Sequence, residues 1–257
     1  MSYRLTNIIT FGLLAALLAL HNYWQPLSWW IFVGLLLLYA AVLAWGSVSI
    51  AAGFYMPVTC RVPTQEKVVA LTFDDGPLPA FTPQLLDILQ ERRAPAAFFC
   101  IGRNVEQQEA LLQRVHAEGH LVGNHSYSHH FWFDLFGAGR MLEELRRTDA
   151  CIEKVTGCRP HFFRPPYGVT NPNLRRAVMR GGYFPLGWSI RSLDTVAAEE
   201  QQLLHRITTH LHPGAIILLH DSREITVKIL PALIDHIRSS GYRIERIDKM
   251  LNIPAYA

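Results

Sequence analysis

The sequence predicts an α/β domain built on a parallel sheet or barrel, preceded by a membrane-embedded helical segment. Strand-like and helix-like stretches alternate regularly from Lys67 onwards, which argues for parallel strands joined by crossover helices. Polar clusters recur at the C-terminal ends of those strands, the face where α/β barrels carry their sites. Between Arg4 and Arg61 there is no Asp, Glu, Lys or Arg. The rest of the 257-residue chain is long enough for one domain with a large core. A net charge of +3, with scattered basic residues, gives no footprint of nucleic-acid binding.

Residues 1–60 read as a membrane anchor. Ile8 to Leu20 is apolar apart from Thr10, and Trp29 to Gly53 is almost entirely apolar. About 20 residues cross a bilayer, so two spans are expected, over 5–23 and 29–53. Trp24, Trp29 and Trp30 sit where an interfacial aromatic belt would place them. A cleaved signal peptide would still leave the second apolar stretch as an anchor. A soluble helical hairpin is disfavoured by the lack of charge. The expected location is a bacterial inner membrane. The cations Arg4, Arg61 and Lys67 put both ends of a two-span anchor in the cytoplasm; a single span or an exported amino terminus turns the domain outwards.

From Lys67 the elements follow in order. Lys67 to Phe73 is a strand. Thr82 is the expected N-cap of a helix from Pro83 to Arg92, because Pro suits the first helical position. Ala96 to Ile101 is a strand, Glu106 to Glu118 a helix closed by Gly119, and His120 to Gly123 a short strand. Gly139 to Val155 is a helix closed by Gly157, and Phe162-Phe163 a short strand. Asn171 and Pro172 start a helix that runs to Arg180. Phe184 to Ile190 is strand-like, Glu199 to Leu211 helical, and Ala215 to His220 a strongly apolar strand. A helix from Ile225 to Ser240 and a strand from Tyr242 to Ile247 complete seven strand units.

None of the four cysteines forms a C-x-x-C pair, so a cysteine zinc site is not expected. Cys100 reads as a small buried hydrophobe. Cys151 and Cys158, late in a helix and just past its end, are a candidate disulfide pair whose geometry the sequence does not fix.

The chemistry collects in five clusters. Asp74-Asp75, followed by Gly76 and Pro77, is either a polar turn or a pair of carboxylates aimed at one site. Crowded carboxylates repel unless a cation intervenes, so such a pair is an acid/base couple or a base beside a metal ligand. His125 and His129 have the spacing that stacks two imidazoles on one helical turn. Alone they read as surface or stacked histidines; with Asp75 they make the two-His, one-carboxylate set of a first-row metal with open positions. His130 is expected to face away. Arg164-Pro165-Pro166-Tyr167-Gly168 is a stiff turn whose free N–H donors, on Tyr167 and Gly168, suit an oxyanion hole; the plainer reading is a structural turn with a surface arginine. Asp194 and His220-Asp221 complete the set.

Thr72-Phe73-Asp74-Asp75-Gly76-Pro77, His125-Ser126-Tyr127-Ser128-His129, Arg164-Pro165-Pro166-Tyr167-Gly168 and Leu218-Leu219-His220-Asp221 together resemble successive motifs of the polysaccharide deacetylase family, the NodB-homology enzymes of carbohydrate esterase family 4. The resemblance covers about Val62 to Ile253. It implies a distorted (β/α)7 barrel and metal-dependent removal of acetyl groups from N-acetylated glycans. By motif, Asp74 becomes the general base and Asp75, His125 and His129 the ligands of one divalent ion, zinc or another first-row metal such as cobalt. Arg164 orients Asp74, the Tyr167 N–H holds the oxyanion, and His220, tuned by Asp194, is the general acid. Trp188, Leu218 and Pro166 form the pocket for the acetyl methyl. The family often has Trp where this chain has Thr195, which bears on substrate preference.

A catalytically silent carbohydrate-binding protein would be expected to lack at least one of Asp74, Asp75, His125, His129 or His220, and all are present. An amidohydrolase acting on a small non-sugar amide is the other alternative. Cell-wall polymer, chitin-type oligosaccharide and lipid-linked sugar all remain open as substrates.

Overall fold

In the computed structural model, which describes residues 2–257, one parallel sheet organises everything after residue 67. Its strands are β1 (Val68–Asp74), β2 (Ala96–Cys100), β3 (Leu121–Asn124), β4 (Phe162–Phe163), β5 (Phe184–Pro185), β6 (Ile190–Arg191), β7 (Ala215–His220) and β8 (Arg243–Ile244). They lie in the order β5-β4-β3-β2-β1-β7-β6, with β8 pairing β1. Each of the seven pairings is parallel, and the sheet curls into a half-barrel. The central strand β1 is buried along its whole length, as an apolar strand covered on both faces must be.

The helices that follow the strands are α3 (Thr82–Glu91), α4 (Gly102–Gln107), α5 (Glu109–Ala117), α6 (Ala138–Thr156), α7 (Pro172–Gly181), α8 (Glu200–Thr208), α9 (Glu224–Ser239) and α10 (Ile247–Leu251). Outward side chains of the sheet, among them Leu71, Phe73 and Phe98, pack with Leu85, Leu112, Leu230 and Leu233 of this helical layer. Phe73 and Phe98 stack at 5.0 Å. Alternate residues, Ala70, Ala97, Phe99 and Ile216, fill the concave side.

Several boundaries differ from expectation. The predicted strand Phe184 to Ile190 is two short strands, because Pro185 lacks a donor and the chain between them pairs with Thr59 instead. A linker residue fills that break: Thr59 donates to Pro185 O at 3.1 Å and accepts from Gly187 N at 2.9 Å. The predicted helix from Glu106 is two helices that meet at Gln108. Thr82 lies inside α3 and does not cap it; Phe81 holds the cap position, and the Thr82 hydroxyl bonds Leu78 N and Asp221. Asn171 caps α7 as expected, accepting from Leu174 N at 2.9 Å. All four cysteines are free, Cys151 donating to Glu106 Oε1, so the Cys151–Cys158 disulfide is not formed.

The apolar segments are helices α1 (Tyr3–Tyr23) and α2 (Trp29–Val48), each long and apolar enough to cross a membrane. The second ends earlier than residue 53. Ser49 leaves the helix, Ile50–Ala52 makes a single 3₁₀ turn, and Gly53 takes a left-handed conformation. Phe54, Tyr55 and Met56 are then buried against the rest of the protein. Met1, the first residue of the expected anchor, lies outside the described residues.

Candidate active site

Strand register brings the chemical residues together. Asp74 is level with His220, and Asn124 is level with Cys100 and Phe163. Asp75, His125 and Arg164 therefore emerge side by side, just past the C-terminal ends of β1, β3 and β4. Asp75 has φ 83°, a left-handed conformation uncommon outside glycine. That turn lets adjacent carboxylates serve one site, although strand alternation would point them apart. Asn104 Nδ2 holds the Asp75 carbonyl at 2.7 Å, and Ile101 N holds the Gly76 carbonyl at 2.9 Å. Gly76 has no room for a side chain, since a Cβ would overlap the Asp221 carboxylate beneath it.

Asp75 Oδ1 lies 3.7 Å from His125 Nε2 and 3.7 Å from His129 Nε2. Donor atoms of these three residues lie within 4.8 Å of one another, close enough to share one ion. The histidines belong to a loop, not to the helical turn expected from their spacing. Ser126 and His129 both have positive φ, with Ser126 N bonded to Asn124 Oδ1 at 2.9 Å and His129 N to Ser126 Oγ at 3.2 Å. His125 Nδ1 pairs with the Arg164 carbonyl at 2.8 Å, so it carries the proton and leaves the Nε2 lone pair facing Asp75. Burial, with His129 nearby, pushes His125 down to about 3, so its imidazole is neutral, as a metal ligand requires. The donor set thus fits a divalent first-row ion. His130 faces away, exposed, against Phe136.

Arg164 is not a surface residue; it is fully buried. Its NH1 donates to Asp74 Oδ1 at 2.7 Å and Thr72 Oγ1 at 2.9 Å, its NH2 to Gly187 O at 2.9 Å, and its plane lies 4.2 Å from the Phe99 ring centre. Burial raises Asp74 above the ordinary carboxylate value, with Arg164 and then His220 pulling against it.

Across the cavity, His220 Nδ1 lies 2.7 Å from Asp194 Oδ1. Asp194 also accepts from His220 N at 2.7 Å, Thr226 Oγ1 at 2.6 Å and Ser192 Oγ at 2.9 Å. Burial alone would depress His220, but Asp194, helped by Asp74 and Asp75, outweighs it and holds the imidazole above its usual range. Asp194 itself sits behind His220.

Asp74, Asp75, His125, His129 and His220 face one cavity of about 290 Å³, walled by Trp188, Leu218, Pro165 and Tyr167. The expected wall residue Pro166 is buried inside the turn and does not line the cavity, whereas Pro165 does. Of the two donors expected to be free, Gly168 N is taken by Pro165 O at 3.0 Å. The Tyr167 N–H has no partner among the described residues. Gly168, with φ 70°, lets the Trp188 indole close on this turn, where a Cβ would clash.

Sequence reasoning gave Asp221 no role. It is buried, receives the Thr82 hydroxyl at 2.7 Å, and donates its N–H to Asp74 O at 3.2 Å. Burial pushes its carboxyl up to about 8, so it stays neutral under the turn. Its signal was the carboxylate next to His220, masked because neighbours on a strand face opposite ways. Ser222, with Oγ 3.3 Å from Asp75 Oδ2, and Arg191 and Arg223 at the rim were also missed, whereas Thr195 does line the cavity.

Comparison with known proteins places these observations. A family model described as polysaccharide deacetylase matches residues 61–185. A peptidoglycan-N-acetylglucosamine deacetylase of Bacillus cereus is 36% identical over 200 residues, covering 74% of this chain and 72% of that protein. The peptidoglycan-N-acetylmuramic acid deacetylase PdaA of Bacillus subtilis is 32% identical over 192 residues, covering 73% of each. A crystal structure of a peptidoglycan N-acetylglucosamine deacetylase superposes with TM-score 0.73 at 28% identity, covering 78% of this chain and 95% of that one.

Arg164→Met is expected to strand a buried carboxylate at a cost of about 3–5 kcal/mol. Thermal unfolding should show a clear fall in midpoint. Adding Asp74→Asn to that variant should recover part of the loss. A single variant as stable as the parent would contradict the pairing.

Proposed function

The chain belongs to the polysaccharide deacetylase family, carbohydrate esterase family 4, and from that premise we propose that it hydrolyses N-acetyl groups of N-acetylhexosamine glycans with one bound divalent ion. The supporting observation is a division of labour between neighbours: Arg164 fixes Asp74, while Asp75 reaches both His125 and His129. Residues 1–60 are the anchor in this reading, integral to a bacterial inner membrane, and 62–253 the deacetylase domain. The named relatives act on peptidoglycan, which contains such sugars.

Asp75, His125 and His129 hold the ion, zinc or a first-row equivalent. When bound, it supplies Lewis acidity towards the water and the amide oxygen. Asp74 removes a proton from the attacking water; its burial-raised basicity suits the task. Arg164 keeps that carboxylate in place. As the new C–O bond forms, the Tyr167 N–H donates to the oxygen of the attacked carbonyl. His220 gives its proton to the nitrogen as the C–N bond breaks, so the sugar leaves as a neutral amine and acetate remains. Asp194 orients His220 and stabilises its protonated form. Trp188 and Leu218 enclose the acetyl methyl.

Asp74→Asn should keep its metal and lose activity by roughly 10²–10⁴-fold. Asp75→Ala should lose the metal itself. Acetate release and metal content per chain check both; an active Asp74→Asn enzyme would remove the base from the scheme.

His220 must be protonated to act, so activity falls as pH rises through its raised pKa. Asp194→Asn removes the charge that raises it. The alkaline limb of kcat/KM against pH should then move to lower pH. An unmoved limb would deny Asp194 its role.

A further inference from the structure

A second cavity, of about 410 Å³, lies between the end of α2 and the edge strand β6. Val48 and Ser49 line one side, and Trp188, Arg191, Arg206 and His210 the other. Trp188 and Arg191 also line the catalytic cavity, so the two share a wall. No Asp or Glu lines the second cavity. Arg206 Nε donates to Arg191 O at 3.1 Å, and His210 Nδ1 pairs with Arg206 O at 2.8 Å. Neither arginine forms an ion pair among the described residues. The guanidinium ends of both thus remain for a ligand.

The anchor fixes the depth of this cavity. Tyr39 OH donates to Asn7 Oδ1 at 2.9 Å across the helix pair, and Tyr3 N donates to Phe54 O at 3.0 Å, so the start of α1 is tied to the segment that follows α2. Thr170 N, two residues past the Tyr167–Gly168 wall, donates to Ser47 O at 3.0 Å. The 20 residues of α2 rise about 30 Å, the thickness of the hydrocarbon core. Val48 and Ser49 therefore reach the boundary, and the cationic cavity beside them stands at headgroup level.

We propose that this cavity binds the phosphate or diphosphate of a long-chain lipid that carries the N-acetylated sugar. The chain substrate is then a lipid-linked glycan and not a finished polymer. The lipid stays in the bilayer, Arg191 and Arg206 take the phosphate, and the sugar passes Trp188 into the catalytic cavity. The sugar end rests on the deacetylase reading; the phosphate end does not.

The test uses full-length protein in nanodiscs of neutral lipid, as wild type and as Arg206→Glu, a position outside the catalytic cavity. Acetate release is measured from prenyl-diphosphate-linked N-acetylglucosamine and from a neutral N-acetylglucosamine oligosaccharide. The variant should raise KM for the diphosphate substrate about tenfold or more, as a charge-assisted contact becomes repulsive. Activity on the oligosaccharide should stay within about twofold. Equal losses on both, or no loss on either, overturn the proposal.

A ³¹P NMR titration with farnesyl diphosphate and with inorganic diphosphate separates the sources. The lipid form should bind the wild type more tightly than the inorganic ion and should lose affinity in the variant. Equal binding of both ions, or loss of lipid binding when phosphatidylglycerol is added in equal amount, overturns it in favour of a free-anion or headgroup site. Release of acetate from neither substrate would sink the deacetylase reading, and the titration would still decide the phosphate site.

Discussion

Arg164 has no exposed surface and holds Asp74 Oδ1 at 2.7 Å, and much of the site follows from that pair. Burying two charges is costly unless their remaining polar atoms are satisfied. Here Thr72 and Gly187 take the rest of the guanidinium, and Phe99 covers its face. The same residue acts through its backbone, because its carbonyl fixes the tautomer of His125. One arginine thus fixes the Asp74 carboxylate and sets which His125 nitrogen faces Asp75. That coupling separates the tasks of two carboxylates that are neighbours in sequence.

Parallel register makes such a site possible. Consecutive strands end level, and the residue after each end is free of ladder constraints, so a left-handed Asp75 and a looped His129 are tolerated. Gly76 over Asp221 and Gly168 under Trp188 are two of the places where the backbone must pass close to a side chain. The helical hairpin is tied into this frame. Thr59 bridges the break between β5 and β6, and Ser47 accepts from the segment that follows the Tyr167 turn. The hairpin is thereby fixed against the turn that walls the cavity.

The strand–helix alternation, the buried β1 and the polar strand ends were legible in sequence because each rests on local periodicity and on one direction of chain. Asp75, His125 and His129 were legible as a donor set for the same reason. What escaped depends on tertiary geometry. Four-residue spacing suggested a helical turn for His125 and His129, but hydrogen bonds accepted by Asn124 Oδ1 and Ser126 Oγ define a loop. Thr82 looked like a cap until Asp221, remote in sequence, claimed its hydroxyl. Pro165 and Pro166 exchange places because local order does not say which way a turn faces. The break at Pro185–Gly187 is filled by Thr59, a partner that no local pattern could supply.

In the proposed mechanism one ion is held by Asp75, His125 and His129 while Asp74 stays unligated as the base. Zinc titrated into metal-depleted full-length protein, with acetate release from an N-acetylglucosamine oligosaccharide as readout, tests it most directly. Activity should be absent without metal and should saturate at one equivalent per chain. Full activity in protein shown to carry no metal would contradict it.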